Sequence, residues 1–239
     1  MSQEDLRFIQ VLHQFAPDVT DEQVEQFFLY RQILLEWNER FNLTAITDPG
    51  EILVKHFLDS LTLLSVYGRR EARVLDLGAG AGFPGLPLKV ARPAWQVELL
   101  EATGKKVTFL RHVIETLGLS GIEALQGRAE ELAHRRDYRG AFDLVTARAV
   151  AGLPTLLEYA APFCRIGGRM IFPKKGDLTD ELAQGSAAAR QLGAALVDDV
   201  AVTMPGLDDG RRLLVYEQVR LCPPHYPRHG SVIARKALT

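Results

Sequence analysis

The first third of the chain carries apolar residues at helical spacing. Between Val24 and Asn38 they recur at intervals of three and four residues and form one stripe, and the polar "TDEQ" before them suits a helix start. A second such segment runs from an Asp-Pro pair at 48–49, which favours a helix start, to Gly68, which can end the helix. The pattern predicts a helical N-terminal extension, residues 1–67, whose aromatic side chains form a packing face.

After Gly68 the period of the pattern changes. Short apolar runs alternate with helical segments, an order typical of a parallel sheet with helices on both faces. The last two runs, "AALVDDVAVTMPG" and "RRLLVYEQV", have only a glycine-containing turn between them and predict an antiparallel hairpin. With five earlier runs, the hairpin makes a mostly parallel seven-stranded sheet of the α/β class. We expect this second domain to span residues 68–239, including a basic C-terminal tail.

Composition narrows the class of protein. Hydrophobic residues make up 47% of the chain and charged residues 24%, and no stretch reaches the ~18 uncharged apolar residues of a membrane span. The polar, acidic N-terminus does not resemble a signal peptide. Cys164 and Cys222 are too far apart in sequence for a C-x-x-C site. We therefore expect a cytoplasmic protein with no metal site and no membrane partner.

The formal net charge of −2 hides an asymmetry along the chain. Residues 1–67 have a net charge of −7, whereas residues 211–239 have a net charge of +5. A basic end on an otherwise acidic chain suggests a localised anionic partner, and a solvated tail is the alternative. The candidates for phosphate contacts in this tail are Arg228, Arg235 and Lys236.

A glycine-rich turn, "DLGAGAGFPG", follows the first strand of the sheet. Gly78 and Gly80 let the backbone turn sharply and approach a ligand closely. From Gly80 the sequence matches the dinucleotide fingerprint G-x-G-x-x-G. That fingerprint should begin where the strand ends, whereas this match begins only after "DLGA". Asp76 beside it would repel a pyrophosphate and would suit a cationic ligand. "DLGAGAG" is similar instead to motif I of the class I S-adenosylmethionine-dependent methyltransferases.

Further along the sheet, two segments fit a nucleoside ligand. Glu101 ends the next strand, twenty-five residues after Asp76, where an acid in this fold hydrogen-bonds ribose hydroxyls; a surface glutamate is the alternative. Ala129 and Glu130 lie in the loop that would flank the adenine. Phe83 could form an apolar wall of the site or belong to the core.

Several motifs in order resemble the GidB (RsmG) family over residues 35–176. They are NLTAI, KHFLDSL, VLDLGAGAGFPGLPLK, LLEATGKKVTFL, GRAEEL, FDLVTARAVAGLPTLLEYAAP and PKKG. The resemblance implies a Rossmann-like class I methyltransferase that methylates N7 of a guanine in 16S ribosomal RNA, with S-adenosylmethionine as methyl donor and S-adenosylhomocysteine as product. The cofactor contacts it implies are Gly78, Phe83, Glu101, Ala102, Thr103, Ala129, Glu130 and Arg148, to which the glycine turn adds Asp76 and Gly80.

The implied acceptor indicates how the reaction would work. Guanine N7 carries a lone pair and no proton, so no general base is needed, and alignment of the reactants can supply ~7–11 kcal/mol. Arg148, at the end of the fourth strand, is the candidate catalytic residue, through guanine positioning or a cofactor contact. Lys174 and Lys175 end the fifth strand and are candidate RNA contacts. His56 and Asp59 could line the ligand's path, but an exposed helix pair is the plainer interpretation.

Three other functions stay open on the sequence. A class I methyltransferase could act on a small molecule or a protein, the glycine turn could serve a nicotinamide-dependent oxidoreductase, or the chain could be a non-catalytic RNA-binding module. The partner implied by the resemblance is small-subunit ribosomal RNA or a ribosomal particle, and we expect a monomer.

Overall fold

The computed structural model describes residues 1–207 and 209–238. Two helices come first, α1 (Gln3–Phe15) and α2 (Asp21–Phe41). Each starts with a capping box. The Ser2 and Thr20 hydroxyls accept from the backbone N–H three residues on, and the side chains at those positions, Asp5 and Gln23, accept from the backbone N–H of the capping residue. The helix predicted from the stripe between Val24 and Asn38 is confirmed as α2.

The second predicted helical segment begins at the predicted Asp-Pro pair but is not a regular helix. The Asp48 side chain caps α3 (Pro49–Ile52), which continues into a π-helical turn at Leu53–Leu58. Then follow α4 (Asp59–Leu61) and a 3₁₀ turn at Thr62–Ser65. The segment therefore ends before Gly68, and its π-helical turn was not predicted, because apolar spacing does not report an added residue within one turn.

The sheet has seven strands in the order β3-β2-β1-β4-β5-β7-β6. β1 to β5 are parallel, and β7 runs antiparallel to both β5 and β6. The predicted mostly parallel sheet with a C-terminal antiparallel hairpin is confirmed. The strands are β1 (Arg73–Leu77), β2 (Gln96–Glu101), β3 (Ile122–Gln126), β4 (Phe142–Thr146), β5 (Cys164–Lys174), β6 (Ala194–Ala201) and β7 (Arg212–Gln218).

The strand order reverses between β1 and β4, which are direct neighbours. In open α/β sheets a ligand binds beyond the carboxyl ends of the strands at such a reversal. We call the carboxyl ends of β1, β2 and β4, with the loops that follow them, the ligand edge. The helices that complete the fold are α5 (Gly85–Ala91), α6 (Gly104–Thr116), α7 (Ala129–Leu132), α8 (Leu153–Ala160), α9 (Thr179–Leu192) and α10 (Gly230–Arg235).

One hydrophobic core joins the N-terminal helices to the sheet. Its centre is a column of aromatic rings. The ring centroids of Phe8 and Phe57 are 6.3 Å apart, those of Phe57 and Tyr30 are 5.0 Å apart, and those of Tyr30 and Phe83 are 5.7 Å apart. Each fully buried ring of this kind stabilises the fold by about 1.5–3 kcal/mol. The aromatic column therefore ties helix α1 to the glycine turn at the ligand edge.

None of the helices in residues 1–207 and 209–238 combines the length and apolar character that crossing a membrane requires.

Candidate cofactor and RNA site

The glycine turn after β1 has a backbone that only glycine adopts easily. Gly78 and Gly80 have φ angles of 65° and 61°. The N–H groups of Gly78 and Ala79 both donate to the Leu100 carbonyl, at 2.8 and 3.1 Å, which fixes the turn to β2. A Cβ atom on Gly78 would lie 2.8 Å from Cγ2 of Val150. The turn thus forms a cradle that a larger residue would fill.

Glu101 closes this turn from the neighbouring strand. Its Oε2 accepts from the Gly80 N–H at 3.0 Å and its Oε1 from the Thr103 N–H at 2.8 Å. The side chain is buried, so the surface-glutamate alternative is wrong. Each carboxylate oxygen keeps a second lone pair, so Glu101 can still accept from a ribose hydroxyl.

Asp76 is a fully buried acid at the end of β1. Its Oδ2 accepts from the Gly85 N–H at 2.8 Å, whereas its Oδ1 has no hydrogen-bond partner in the described part of the chain. Burial raises the pKa of Asp76 to about 7, although the Gly85 hydrogen bond and the charge of Arg148 lower it. A buried acid with an unpaired oxygen beside a glycine cradle fits a ligand that carries positive charge, as S-adenosylmethionine does.

A cavity of about 250 Å³ opens beside the glycine turn. It brings together four predicted cofactor residues: Gly78, Ala102, Ala129 and Glu130. Mostly apolar walls of this kind suit a flat base. The lining that sequence reasoning missed comprises Leu77, Leu100, Gly127, Arg128, Val150, Leu156 and Tyr159.

The loop after β4 covers the same cavity. Val150 lies against Gly78 and follows Ala149, whose φ of 56° is unusual for a residue with a side chain. Backbone strain of this kind concentrates at functional sites. Lys174 holds the loop, because its Nζ donates to the Ala151 carbonyl at 3.1 Å and to Glu181 at 2.6 Å.

Phe83 and Arg148 form a second cluster that does not line this cavity. Phe83 is buried, and its ring stacks on those of His56 and Tyr30 with centroids 4.5 and 5.7 Å away. The Arg148 guanidinium carbon lies 4.8 Å from the Phe83 ring centroid, within cation–π range. Phe83 is therefore a core residue, and its ring also contacts the Arg148 guanidinium at the ligand edge.

His56 and Asp59 are not the exposed helix pair that we expected. Asp59 is fully buried and His56 is 9% exposed, because the π-helical turn directs both side chains towards Arg148. The sequence shows a helical pattern here and gives no sign of the partner, which lies 89 residues away.

The basic candidates separate into paired and free side chains. Arg228 donates to both oxygens of the fully buried Glu158, at 2.8 and 2.6 Å, and Lys174 is held by Glu181. Both side chains have structural partners that the charge pattern could not reveal, and their expected role as phosphate contacts stays a prediction. Lys175, Arg235 and Lys236 are exposed, and their side chains contact no acid in residues 1–207 and 209–238.

Within the described residues no three His, Cys, Asp or Glu side chains converge as metal ligands would.

Solved structures similar to this chain show its fold class. TrmN from Thermus thermophilus is 22% identical with a TM-score of 0.52, over 67% of this chain and 48% of that one. MtNAS in complex with MTA and tNA is 15% identical with a TM-score of 0.54, over 83% of this chain and 73% of that one. With the strand order and the glycine turn described above, the fold is that of a Rossmann-like class I methyltransferase.

The family GidB, described as rRNA small subunit methyltransferase G, matches residues 23–206. A protein from Dehalococcoides mccartyi named "Ribosomal RNA small subunit methyltransferase G" is 46% identical over 216 residues, which are 90% of this chain and 92% of that protein. A protein of the same name from Roseiflexus sp. is 45% identical over 90% of this chain and 92% of its own length. The chain belongs to the GidB family, and the family resemblance of the sequence is confirmed.

Proposed function

We propose that this protein transfers a methyl group from S-adenosylmethionine to N7 of a guanine in the 16S ribosomal RNA of the small subunit. Membership of the GidB family across residues 23–206 carries the proposal. The nicotinamide-dependent alternative has no support in the family or in the residues at the glycine turn, because the buried Asp76 carboxyl disfavours a pyrophosphate there.

The ligand edge fits the cofactor in three respects. The cradle at Gly78 and Gly80 would take the amino-acid portion and the sulfonium, with the unpaired Oδ1 of Asp76 favouring positive charge. Glu101 would accept from the ribose, and the cavity beside Ala129 would take the adenine. When bound, S-adenosylmethionine supplies an activated methyl group.

The chain's own task is then to orient the guanine. N7 must keep its lone pair directed at the methyl group, so Arg148 can donate to the neighbouring O6 but not to N7 itself during transfer. During methyl transfer Arg148 therefore cannot make the bidentate contact to both O6 and N7 that an arginine usually makes to a guanine. Holding the two reactants in line is the effect that we assign to the site.

The RNA would reach the site across the tail. A Cβ on Gly230, the first residue of α10, would collide with Glu130, so the tail helix packs directly beside the predicted adenine loop. The exposed Arg235 and Lys236 at the end of α10, with Lys175 after β5, are the phosphate contacts of this proposal. Because ribosomal RNA is the substrate, the proposal includes a cytoplasmic location, and we propose a monomer.

The test is the methylation of ribosomal RNA by the purified protein. Naked 16S RNA, assembly intermediates and assembled small subunits are each incubated with S-adenosylmethionine carrying a labelled methyl group, and the digested nucleosides are identified by mass spectrometry. We expect labelled N7-methylguanosine from at least one substrate. A transcript with 7-deazaguanosine in place of guanosine is the matched control, because it lacks the acceptor nitrogen.

Two outcomes would contradict the proposal. Label in another nucleoside would show methyltransferase activity on a different target atom. RNA binding without label in any substrate would leave a non-catalytic RNA-binding module.

A further inference from the structure

The guanidinium of Arg148 is held by three acceptors from one short segment. Its Nη1 donates to the Asp59 carboxylate at 2.8 Å and to the Lys55 carbonyl at 3.1 Å, and its Nη2 lies 3.0 Å from Nδ1 of His56. All three acceptors belong to the π-helical turn or to the residue that follows it. The opposite contact is the face of the Phe83 ring.

The π-helical turn is what brings these acceptors to one side. At its end the Asp59 N–H contacts the Val54 carbonyl five residues earlier, so this turn is wider than that of an α-helix. Single π-helical turns inside helices occur frequently at functional sites.

Two groups face Nδ1 of His56: the Arg148 Nη2 donor at 3.0 Å and the Lys55 carbonyl acceptor at 3.1 Å. Because the charged Arg148 is always a donor, we assign the tautomer in which Nδ1 accepts from Arg148 and Nε2, which lies 2.7 Å from the Thr44 hydroxyl, carries the proton. Burial and the charge of Arg148 lower the pKa of His56 to about 3, which keeps the imidazole neutral. A neutral ring in this tautomer is the form that can hold a guanidinium.

Asp59 contacts a second arginine with its other carboxylate oxygen. This is Arg211, which precedes β7 and also pairs with Asp209. Asp59 therefore balances two guanidiniums while buried, but only one of them, Arg148, lies at the ligand edge.

We infer that Asp59 and His56 are positioning residues that fix the direction of the Arg148 guanidinium at the ligand edge. The three contacts occupy three of the five N–H donors of an arginine, and the two that remain have no partner within the described chain. Those two donors serve the substrate. The inference rests on the proposed function, in which Arg148 donates to the guanine.

A double-mutant cycle tests the inference. Asp59→Asn keeps the shape of the side chain and removes its charge, and we expect kcat/KM for RNA methylation to fall by up to about 100-fold, as misplacement of a reacting group can cause. In an Arg148→Ala background the same change should cause no further loss, because the residue that Asp59 positions is absent. Additive effects would overturn the inference.

Arg211→Gln is the matched control. It removes the other guanidinium from the same carboxylate and should lower the melting temperature, but its kinetic effect should add to that of Arg148→Ala. If Asp59 had only a structural role, Asp59→Asn and Arg211→Gln would behave alike in both backgrounds.

A second pair of variants avoids the loss of a buried charge. His56→Asn can place an acceptor near Nδ1, whereas His56→Leu cannot, so the Asn variant should recover most of the kcat/KM that the Leu variant loses. Equal losses in both would contradict a positioning role for His56.

NMR of protein labelled with ¹⁵N-arginine detects the contacts of the Arg148 guanidinium without any reaction. A guanidinium held by three acceptors rotates slowly about its C–N bonds, so the Arg148 Nη protons should give separate signals that collapse in Asp59→Asn and His56→Leu. If these signals collapse in the variants but the wild-type protein methylates no RNA, the proposed function is disproved and the positioning of Arg148 still holds. Separate signals that persist in both variants would overturn the positioning.

Discussion

The ligand edge and the C-terminal tail bury charged side chains in opposite ways. At the ligand edge Asp76 is fully buried, and one of its oxygens has no partner in the described chain. In the tail Arg228 meets both oxygens of the buried Glu158. A buried polar group without a partner is costly, so the unpaired Asp76 oxygen beside the glycine cradle fits a ligand that completes it, whereas the pairing of Arg228 with Glu158 stabilises the fold. The two regions therefore differ in what their buried acids offer to a ligand.

The largest effect should come from filling the cradle at the ligand edge. In Gly78→Val the side chain would collide with Val150, and the φ of 65° would also be strained, so we expect no measurable affinity for S-adenosylhomocysteine by calorimetry. Gly118→Val is the control, because Gly118 has a φ of 63° but no neighbour within 4 Å of its Cβ in the described residues. The control should lose stability and keep affinity. Normal binding by Gly78→Val would show that this turn is not the cofactor site.

In the tail the largest effect should be on stability. Arg228→Ala removes the guanidinium and leaves the Glu158 carboxylate buried with only the backbone N–H of residue 228. We expect the free energy of unfolding to fall by about 3–5 kcal/mol in a denaturant titration. Arg235→Ala, at an exposed position of the same tail, should change it by less than about 0.5 kcal/mol. Equal stabilities of the two variants would contradict the structural role of Arg228.

Glu101 should affect both binding and stability. Glu101→Ala removes an acceptor from a ribose hydroxyl, and we expect the affinity for S-adenosylhomocysteine to fall by about 1–3 kcal/mol. The melting temperature should also fall, because the N–H groups of Gly80 and Thr103 lose their acceptor. Glu123→Ala, at an exposed glutamate in β3, should do neither. An unaltered dissociation constant would remove Glu101 from the cofactor site.

Asp76 should make stability depend on pH. Its folded-state pKa of about 7 is above the unfolded value, so the native state binds the extra proton between these two values and wild-type stability falls as pH rises through 7. Asp76→Asn does not titrate. From about pH 4 to about pH 7, the stability of Asp76→Asn relative to wild type should therefore rise by up to about 1.4 kcal/mol per pH unit. Parallel pH profiles of the two proteins would contradict the raised pKa.

The smallest effect should come from the free charges of the tail. Neutralising Arg235 and Lys236 to Gln should reduce the salt dependence of RNA binding by about 0.7–0.9 in slope per lost phosphate contact, with cofactor affinity unchanged. Arg235→Gln alone is compared with Arg40→Gln, which removes one positive charge at an exposed arginine of the acidic N-terminal region and should leave the slope unchanged. An unchanged slope would make the tail a solvated end.

Features that depend on local backbone geometry could be predicted from the sequence. The glycines at 78 and 80 follow from the sharp turn itself, and Glu101 follows from the spacing of two adjacent parallel strands. The alternation of apolar runs and helical segments was likewise sufficient for the sheet and its hairpin.

Contacts between distant segments could not be predicted. Arg148 and Asp59 are 89 residues apart in sequence, and Arg228 and Glu158 are 70 apart. Charge counting treats each of these side chains as free, so it assigned Arg228 to the RNA and left Asp59 on a helix surface. Only the folded chain reveals which charges have partners.

The aromatic column has a consequence for how the chain is made. Phe8 and Phe57 leave the ribosome before β1, the glycine turn and Phe83, which complete the column. Because the chain is synthesised at about 5–20 residues per second, several seconds pass between the emergence of α1 and α2 and that of the surface that covers them. During synthesis their aromatic faces are open to chaperones or to one another, and the nascent chain acquires its stable N-terminal half only once β1 and α5 have emerged.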